Sequence, residues 1–469
     1  MKVHAMPVAT ALVALCVMLA APCAFAQKSA GLTPEVLAQL EASFKLDERT
    51  RALMNAVSNN DAKSLALNRE LYNGHDDVFN CKVDVKGITD QAMSGRCWLF
   101  AGLNIMRPAV MKKYNLEDFE FSQSHLFFWD KLEKANFFLE AAIETRDRSL
   151  DDRELQVLTK DPIPDGGWWS FVVDLIEKYG VVPKGVMPET NYTKNTGMMN
   201  SLLAKLMRRD AAELRAMAAK GSKVPALEAR KVEMLKDVYR LLVMNFGLPP
   251  QSFTWRYEDK DKKVHEATFT PQSFYKDAVG VDLRDYVAIF DHPAKPYGKH
   301  YSLKYDRDMA DAPDMDFINM KIQDVKPFVL KALFAGEPVW FAADAGAEND
   351  KKDGIFALGM YDYRSLLGVN LDLSKADRVL YFESSPNHAM VFVGADTLGG
   401  GGVRQWRVEN SWGTDVGVKG YWTMYDDWFD QYVYGVILEK AYVPADVLAI
   451  LSTKAEVLPA WDPMREMFR

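Results

Sequence analysis

The chain has 469 residues and a formal net charge of −8, with 48% apolar and 26% charged residues. That length suits two or three compact units or one large elaborated domain, with ample apolar material for a core. The acidic balance argues against nucleic acid as a partner, because phosphate binding needs a basic footprint. The chain opens with Met1-Lys2-Val3-His4, a mostly apolar stretch over residues 8–21, and then Pro22-Cys23-Ala24-Phe25-Ala26. A short basic start, a short apolar run and Ala-x-Ala predict a secretory signal peptide over residues 1–26, cleaved after Ala26. The competing reading, an uncleaved membrane anchor, asks for a longer run. Pro22 disfavours lipid attachment at Cys23. The mature protein is therefore expected to be exported, periplasmic or secreted, and off the membrane.

Residues 31–73 read as helical: Thr33-Pro34-Glu35 is a helix start, and Leu37, Leu40 and Phe44 recur at helical intervals. Residues 78–90 read as a strand and loop. Ser94-Gly95 then suits a turn, and the apolar run over 97–106 predicts a buried helix beginning at Cys97. The aromatic-rich segment 119–148 reads as helix. A turn-dense loop containing Gly166-Gly167 leads into a helix over 172–179. Residues 198–246 predict an amphipathic helical pair broken near Gly221-Ser222, and 252–270 alternate like a hairpin with a charged, solvated tip at 259–263. Strands follow at 337–341, 379–382, 389–393, 406–408 and 420–424.

Four side chains in this layout match the needs of thiol-based acyl transfer. Only a thiolate attacks well, and a helix N-terminus with an adjacent imidazolium lowers a thiol pKa; Cys97 opens a helix and His388 stands in a strand-like run. Asn410 can orient the imidazole without adding charge. Gln91, six residues before Cys97, offers an amide donor for an oxyanion beside the Cys97 N–H. Trp412 is expected to shield the Asn–His hydrogen bond, and the bare backbone at Gly166 and Gly167 to pair with substrate. No metal or other cofactor is expected: the seven histidines are scattered, with none in a ligand-spaced pair. Removing the signal leaves Cys81 and Cys97. Pairing them would abolish the nucleophile, so Cys81 reads as a small core residue.

Gln91-x5-Cys97-Trp98 and Asn410-Ser411-Trp412-Gly413 resemble the papain-like cysteine peptidases. Gly95-Arg96-Cys97-Trp98-Leu99-Phe100-Ala101, Asn68-Arg69-Glu70, Lys178-Tyr179-Gly180-Val181-Val182-Pro183 and Leu458-Pro459-Ala460-Trp461-Asp462-Pro463-Met464 bring the chain closer to the bleomycin hydrolase and aminopeptidase C branch. The resemblance implies an α+β, two-lobed papain-like fold with a large helix-rich insertion. Cys97 and His388 are 291 residues apart by subtraction, against about 130–150 in the papain core. The implied layout is 1–26 signal peptide, 27–195 N-terminal arm and helical lobe, 196–334 insertion, and 335–469 β-rich lobe with the C-terminal arm. Ser94 and Pro164 stand where secreted relatives carry a disulfide pair, so that bridge is absent. The resemblance also implies an aminopeptidase acting on peptides with a free N-terminus, a homo-oligomer (a hexamer in the branch), and a C-terminal arm whose last residue, Arg469, lies in the cleft. The last five residues are bulkier and more basic than the branch's usual tail. An arm that fails to fill the cleft would make the enzyme an endopeptidase. A non-catalytic scaffold is disfavoured because all four reacting groups are intact.

Overall fold

The computed structural model describes Met1 and residues 31–466. Apart from Met1, the expected signal segment lies outside the described residues, and so does Arg469. The chain divides into two units, residues 1–65 and 66–469. In the first, helices Pro34–Ser43 and Glu48–Asn59 begin where the Thr33 hydroxyl and the Asp47 carboxylate accept the Val36 and Thr50 N–H groups. Neither helix buries a side chain, and Leu37, Leu40 and Phe44 stay exposed.

The larger unit sets helices against a sheet. Helix α1 (Cys97–Lys113) is buried on nearly every face over its first eleven residues, as its unbroken apolar run requires. Around it stand α2 (Gln123–Glu144) and α3 (Trp169–Tyr179). The expected helical pair is α4 (Gly197–Ala219) and α5 (Val224–Phe246), broken at Gly221, whose φ of 92° suits only glycine without strain. Both pack on α2. The expected hairpin is formed by Phe253–Glu258 and Val264–Phe269.

Six strands form the middle of a twelve-stranded sheet: β1 (Tyr286–Phe290), β2 (Val339–Ala343), β3 (His388–Thr397), β4 (Val403–Glu409), β5 (Tyr421–Tyr425) and β6 (Val433–Glu439). Their spatial order is β1-β6-β2-β3-β4-β5, and every neighbouring pair is antiparallel. Helix α1 packs on β3. The segment 196–334, read as a helix-rich insertion, therefore also supplies β1 and the strands Lys299–Leu303 and Asp316–Asn319 to the main sheet. Its apolar positions in that stretch face the common core, as Ile289, Tyr301 and Phe317 do.

One local expectation is corrected. Residues 379–382 are not a strand: helix Lys375–Leu380 runs there, capped by Ser374 accepting the Asp377 N–H, and Leu380, Tyr381 and Phe382 are exposed. An apolar run with no sheet neighbour to cover it gains nothing from extension. Residues 78–90, read as a strand and loop, contribute the short strand Cys81–Lys82, paired with β3, and a single bridge from Asp90 to Trp412.

Candidate active site

Adjacent antiparallel strands deliver His388 and Asn410 to one end of the sheet. His388 is the first residue of β3 and Asn410 directly follows the last residue of β4. His388 Nε2 and Asn410 Oδ1 are 2.8 Å apart, and both residues are buried. Trp412 stacks on the imidazole at 4.7 Å between ring centres and 29° between planes, covering this bond as expected. The Ser411 N–H also donates to Asn410 Oδ1 (2.8 Å), which fixes the amide's orientation.

The Gln91 turn is fastened to the same segment. Gln91 N–H donates to the Ser411 carbonyl (2.9 Å) and Gly413 N–H to the Thr89 carbonyl (3.1 Å). Gln91 Nε2 donates to the Ser94 carbonyl (2.7 Å), while Gln91 Oε1 accepts the Ser411 hydroxyl (2.7 Å). The amide nitrogen is thereby set on the side of the Cys97 turn. Helix α1 starts at Cys97 without a side-chain cap. The N–H groups of Cys97, Trp98 and Ala389 face the sulfur, the arrangement that stabilises a thiolate.

Burial opposes ionisation of either group by itself. It pushes the Cys97 thiol up to about 11, against the pull of those three N–H groups. It pushes His388 down to about 4; the Asn410 bond resists and the Lys351 charge adds to the fall. Each group alone is thus neutral at pH 7. Both groups line one cleft, and a thiolate and an imidazolium formed there together would offset charges that either alone carries at high cost.

The cleft around Cys97 is lined by Gln91, Gly95, Asp165, Gly166, Lys351 and Trp412, among others. Gly166 is therefore part of the cleft wall. At Gly167 a Cβ would meet the Trp98 ring at 2.6 Å, so its bareness also serves packing on α1. Trp412 lies in the cleft wall, and Arg469 falls outside the described residues. Cys81 and Cys97 are both unpaired thiols, Cys81 half-buried against the core. Among the described residues no group of three His, Cys, Asp or Glu is placed to hold a metal ion.

Residues 31–465 match the family model of the Peptidase C1-like family. The chain belongs to that family. Aminopeptidase C of Streptococcus thermophilus is 39% identical over 436 residues, 92% of this chain and 98% of that protein. Bleomycin hydrolase of Rattus norvegicus is 38% identical over 448 residues, 93% of this chain and 99% of that protein. The crystal structure of PepW from Lactobacillus rhamnosis HN001 has a TM-score of 0.90 at 39% identity and covers 93% of this chain and 99% of that one. The protein is accordingly a cysteine-type peptidase, and its α+β fold is that of this family.

Three supports of the peptidase site escaped sequence reading. Ser411 orients Gln91, and its place inside Asn410-Ser411-Trp412 was the available signal. Asp165 receives the Gly95 N–H (3.2 Å), the Thr196 hydroxyl (2.5 Å), the Asn200 amide (2.7 Å) and the Lys131 ammonium (2.7 Å). Although burial works against it, Lys131 and these donors hold its carboxyl far below the usual range. It fixes the turn before Cys97. Arg107 on α1 grips Glu409 with two bonds of 2.7 and 2.8 Å, joining the Cys97 helix to the residue before Asn410. Partners hundreds of residues apart leave no spacing to read.

Proposed function

We propose that the protein is an exported cysteine aminopeptidase that works through an acyl-enzyme. The observation that carries this reading is the His388–Asn410 bond of 2.8 Å in the cleft that holds Cys97 at a helix start. With Nε2 engaged by Asn410, Nδ1 is left to take the thiol proton. The Cys97 sulfur attacks the scissile carbonyl carbon, and the oxyanion meets the Cys97 N–H and Gln91 Nε2. The imidazolium returns the proton to the departing amine, leaving a thioester. Water, deprotonated by His388, attacks that thioester, and the thiol is regenerated.

Aminopeptidase rather than endopeptidase action is supported by the anchoring of the C-terminal segment. Asp462 binds His292 (3.0 Å), Arg465 donates to the Tyr305 carbonyl (2.8 Å), and Arg153 lies 4.6 Å from the Trp461 ring. Arg465 shares a cavity with Gly166 and Gly167, the loop that flanks Cys97. The relatives named Aminopeptidase C support the same reading. Export rests on the basic start, apolar run and Ala24-Phe25-Ala26. No helix among the described residues is long and apolar enough to cross a membrane. A homo-oligomer, hexameric as in the branch, is supported by two helices that bury nothing of their own; light scattering of the mature protein tests it.

The decisive assay compares a free-amine dipeptide reporter with its N-acetylated twin, with and without thiol alkylation. Strong preference for the free amine, abolished by alkylation and by Cys97→Ala, is expected. Equal turnover of both substrates would establish an endopeptidase instead. Gln91→Ala should lower kcat by roughly 10²–10³, as for one lost oxyanion donor. Asn410→Ala should cost less than His388→Ala, because orientation is lost and the base is kept.

A further inference from the structure

One charged side chain in the cleft bears on the chemistry just described only through its effect on His388. Lys351 lines the cleft with His388 and Trp412 and is exposed. Its Nζ stands 5.1 Å from the centre of the Trp412 ring, which stacks on His388 at 4.7 Å. Adding the two separations places the ammonium within about 10 Å of the imidazole centre, one to three residues of extended chain away.

The neighbouring carboxylates are engaged elsewhere. Asp350 Oδ1 accepts the Lys352 and Asp353 N–H groups, and Asp353 accepts the Tyr72 hydroxyl. Asp344 holds Ser384 and Asn387, Asp165 is saturated by Lys131 and its other donors, and Asp90 accepts the Ala92 N–H. Among the described residues none of them forms an ion pair with Lys351. The cation is presented to the cleft against an aromatic face, which stabilises it there.

Its position along the substrate follows from the chemistry. The imidazole protonates the departing amine, so the departing part of the peptide lies on the His388 side. The Gly166 loop stands with Cys97 in the cleft wall, and Lys351 stands over Trp412, the ring that stacks on His388. We propose that the Lys351 ammonium binds the free α-carboxylate of short peptides on the leaving-group side, making dipeptides and tripeptides the preferred substrate class. This rests on the thiol-peptidase reading. A residue of extended chain spans roughly 3.5 Å, so the α-carboxylate of a dipeptide or tripeptide falls within the sweep of a lysine side chain. A longer or amidated peptide presents a neutral amide there. An acidic side chain just after the scissile bond offers the same carboxylate chemistry and must be distinguished.

The experiment uses the mature protein with Ala-Ala, Ala-Ala-amide and Ala-Glu-amide, and follows kcat/KM for each. In the wild type Ala-Ala should exceed Ala-Ala-amide, and added salt should narrow that ratio. In Lys351→Gln the Ala-Ala to Ala-Ala-amide ratio should fall roughly fivefold, the upper end for an exposed ion pair, mostly through KM. Lys351→Glu should lower it further, and Lys351→Arg should restore it. A ratio unmoved by Lys351→Gln overturns the proposal. So does an equal loss on both substrates, which would make Lys351 a support for Trp412. A larger loss for Ala-Glu-amide than for Ala-Ala would assign the cation to acidic side chains and overturn the α-carboxylate. A wild type that cleaves none of the three, with Cys97 inert to alkylation, would sink the peptidase reading itself, an outcome distinct from an unmoved ratio.

Discussion

At the scale of single residues, the buried imidazole couples the site to acid stability. The folded protein holds His388 at about 4, while an unfolded chain titrates near 6.5. Between these values the unfolded chain binds a proton that the folded one refuses. Stability is therefore full above about pH 6.5 and falls as pH drops toward 4, by roughly 3 kcal/mol for a fully buried group. His125, pushed down to about 4 by its own burial, acts in the same direction. Urea midpoints at pH 7 and 4.5 for Cys97→Ala and Cys97→Ala/His388→Gln separate the two. The second variant should lose less on acidification, and identical losses would mean that His388 is not held neutral by folding. The same residue governs thiol reactivity. Without an imidazole to take its proton, Cys97 in His388→Ala should alkylate far more slowly at pH 7 than in the wild type.

At the scale of elements, one helix face holds the two halves of the site together. Cys97, Asn104 and Arg107 lie on α1. Asn104 donates to the Thr89 hydroxyl (3.0 Å) near the Gln91 turn, and Arg107 grips Glu409 beside Asn410. Both partners of the ion pair are buried. Removing one leaves an uncompensated charge, so Arg107→Met should cost about 3–5 kcal/mol. Arg107→Met/Glu409→Leu should be less destabilised than either single change, as read by denaturant unfolding. If the double variant is worse than both, the pair stabilises beyond charge balance. Helix existence was legible here from apolar and aromatic runs, because α1 and α2 are buried over most of their faces. The segment 379–382 was misread because an apolar tetrapeptide carries no signal for its neighbour, and here only Val379 reaches the core while no strand lies alongside.

At the scale of the whole molecule, the C-terminal segment is the element on which the proposed aminopeptidase action rests. Asp462, Met464 and Arg465 are buried, so the arm is a packed element up to the Gly166–Gly167 cavity. Removing residues 467–469 leaves those anchors in place. The ratio of free-amine to N-acetylated turnover should then fall toward unity, with the denaturation midpoint little changed. An unaltered ratio would show that those residues do not confer the preference. The sequence by itself named the candidate reacting groups, because thiol chemistry demands particular residue types and the Cys97, His388 and Asn410 segments carry them in unusual local contexts. It also determined the main helices, through apolar periodicity. Only the tertiary structure decided that 286–319 belongs to the main sheet, that Gly167 answers to Trp98, that Ser411, Asp165 and the Arg107–Glu409 pair hold the site, and that Lys351 faces the cleft. Each of these depends on partners brought together by packing across tens to hundreds of residues, and no local pattern encodes such a meeting.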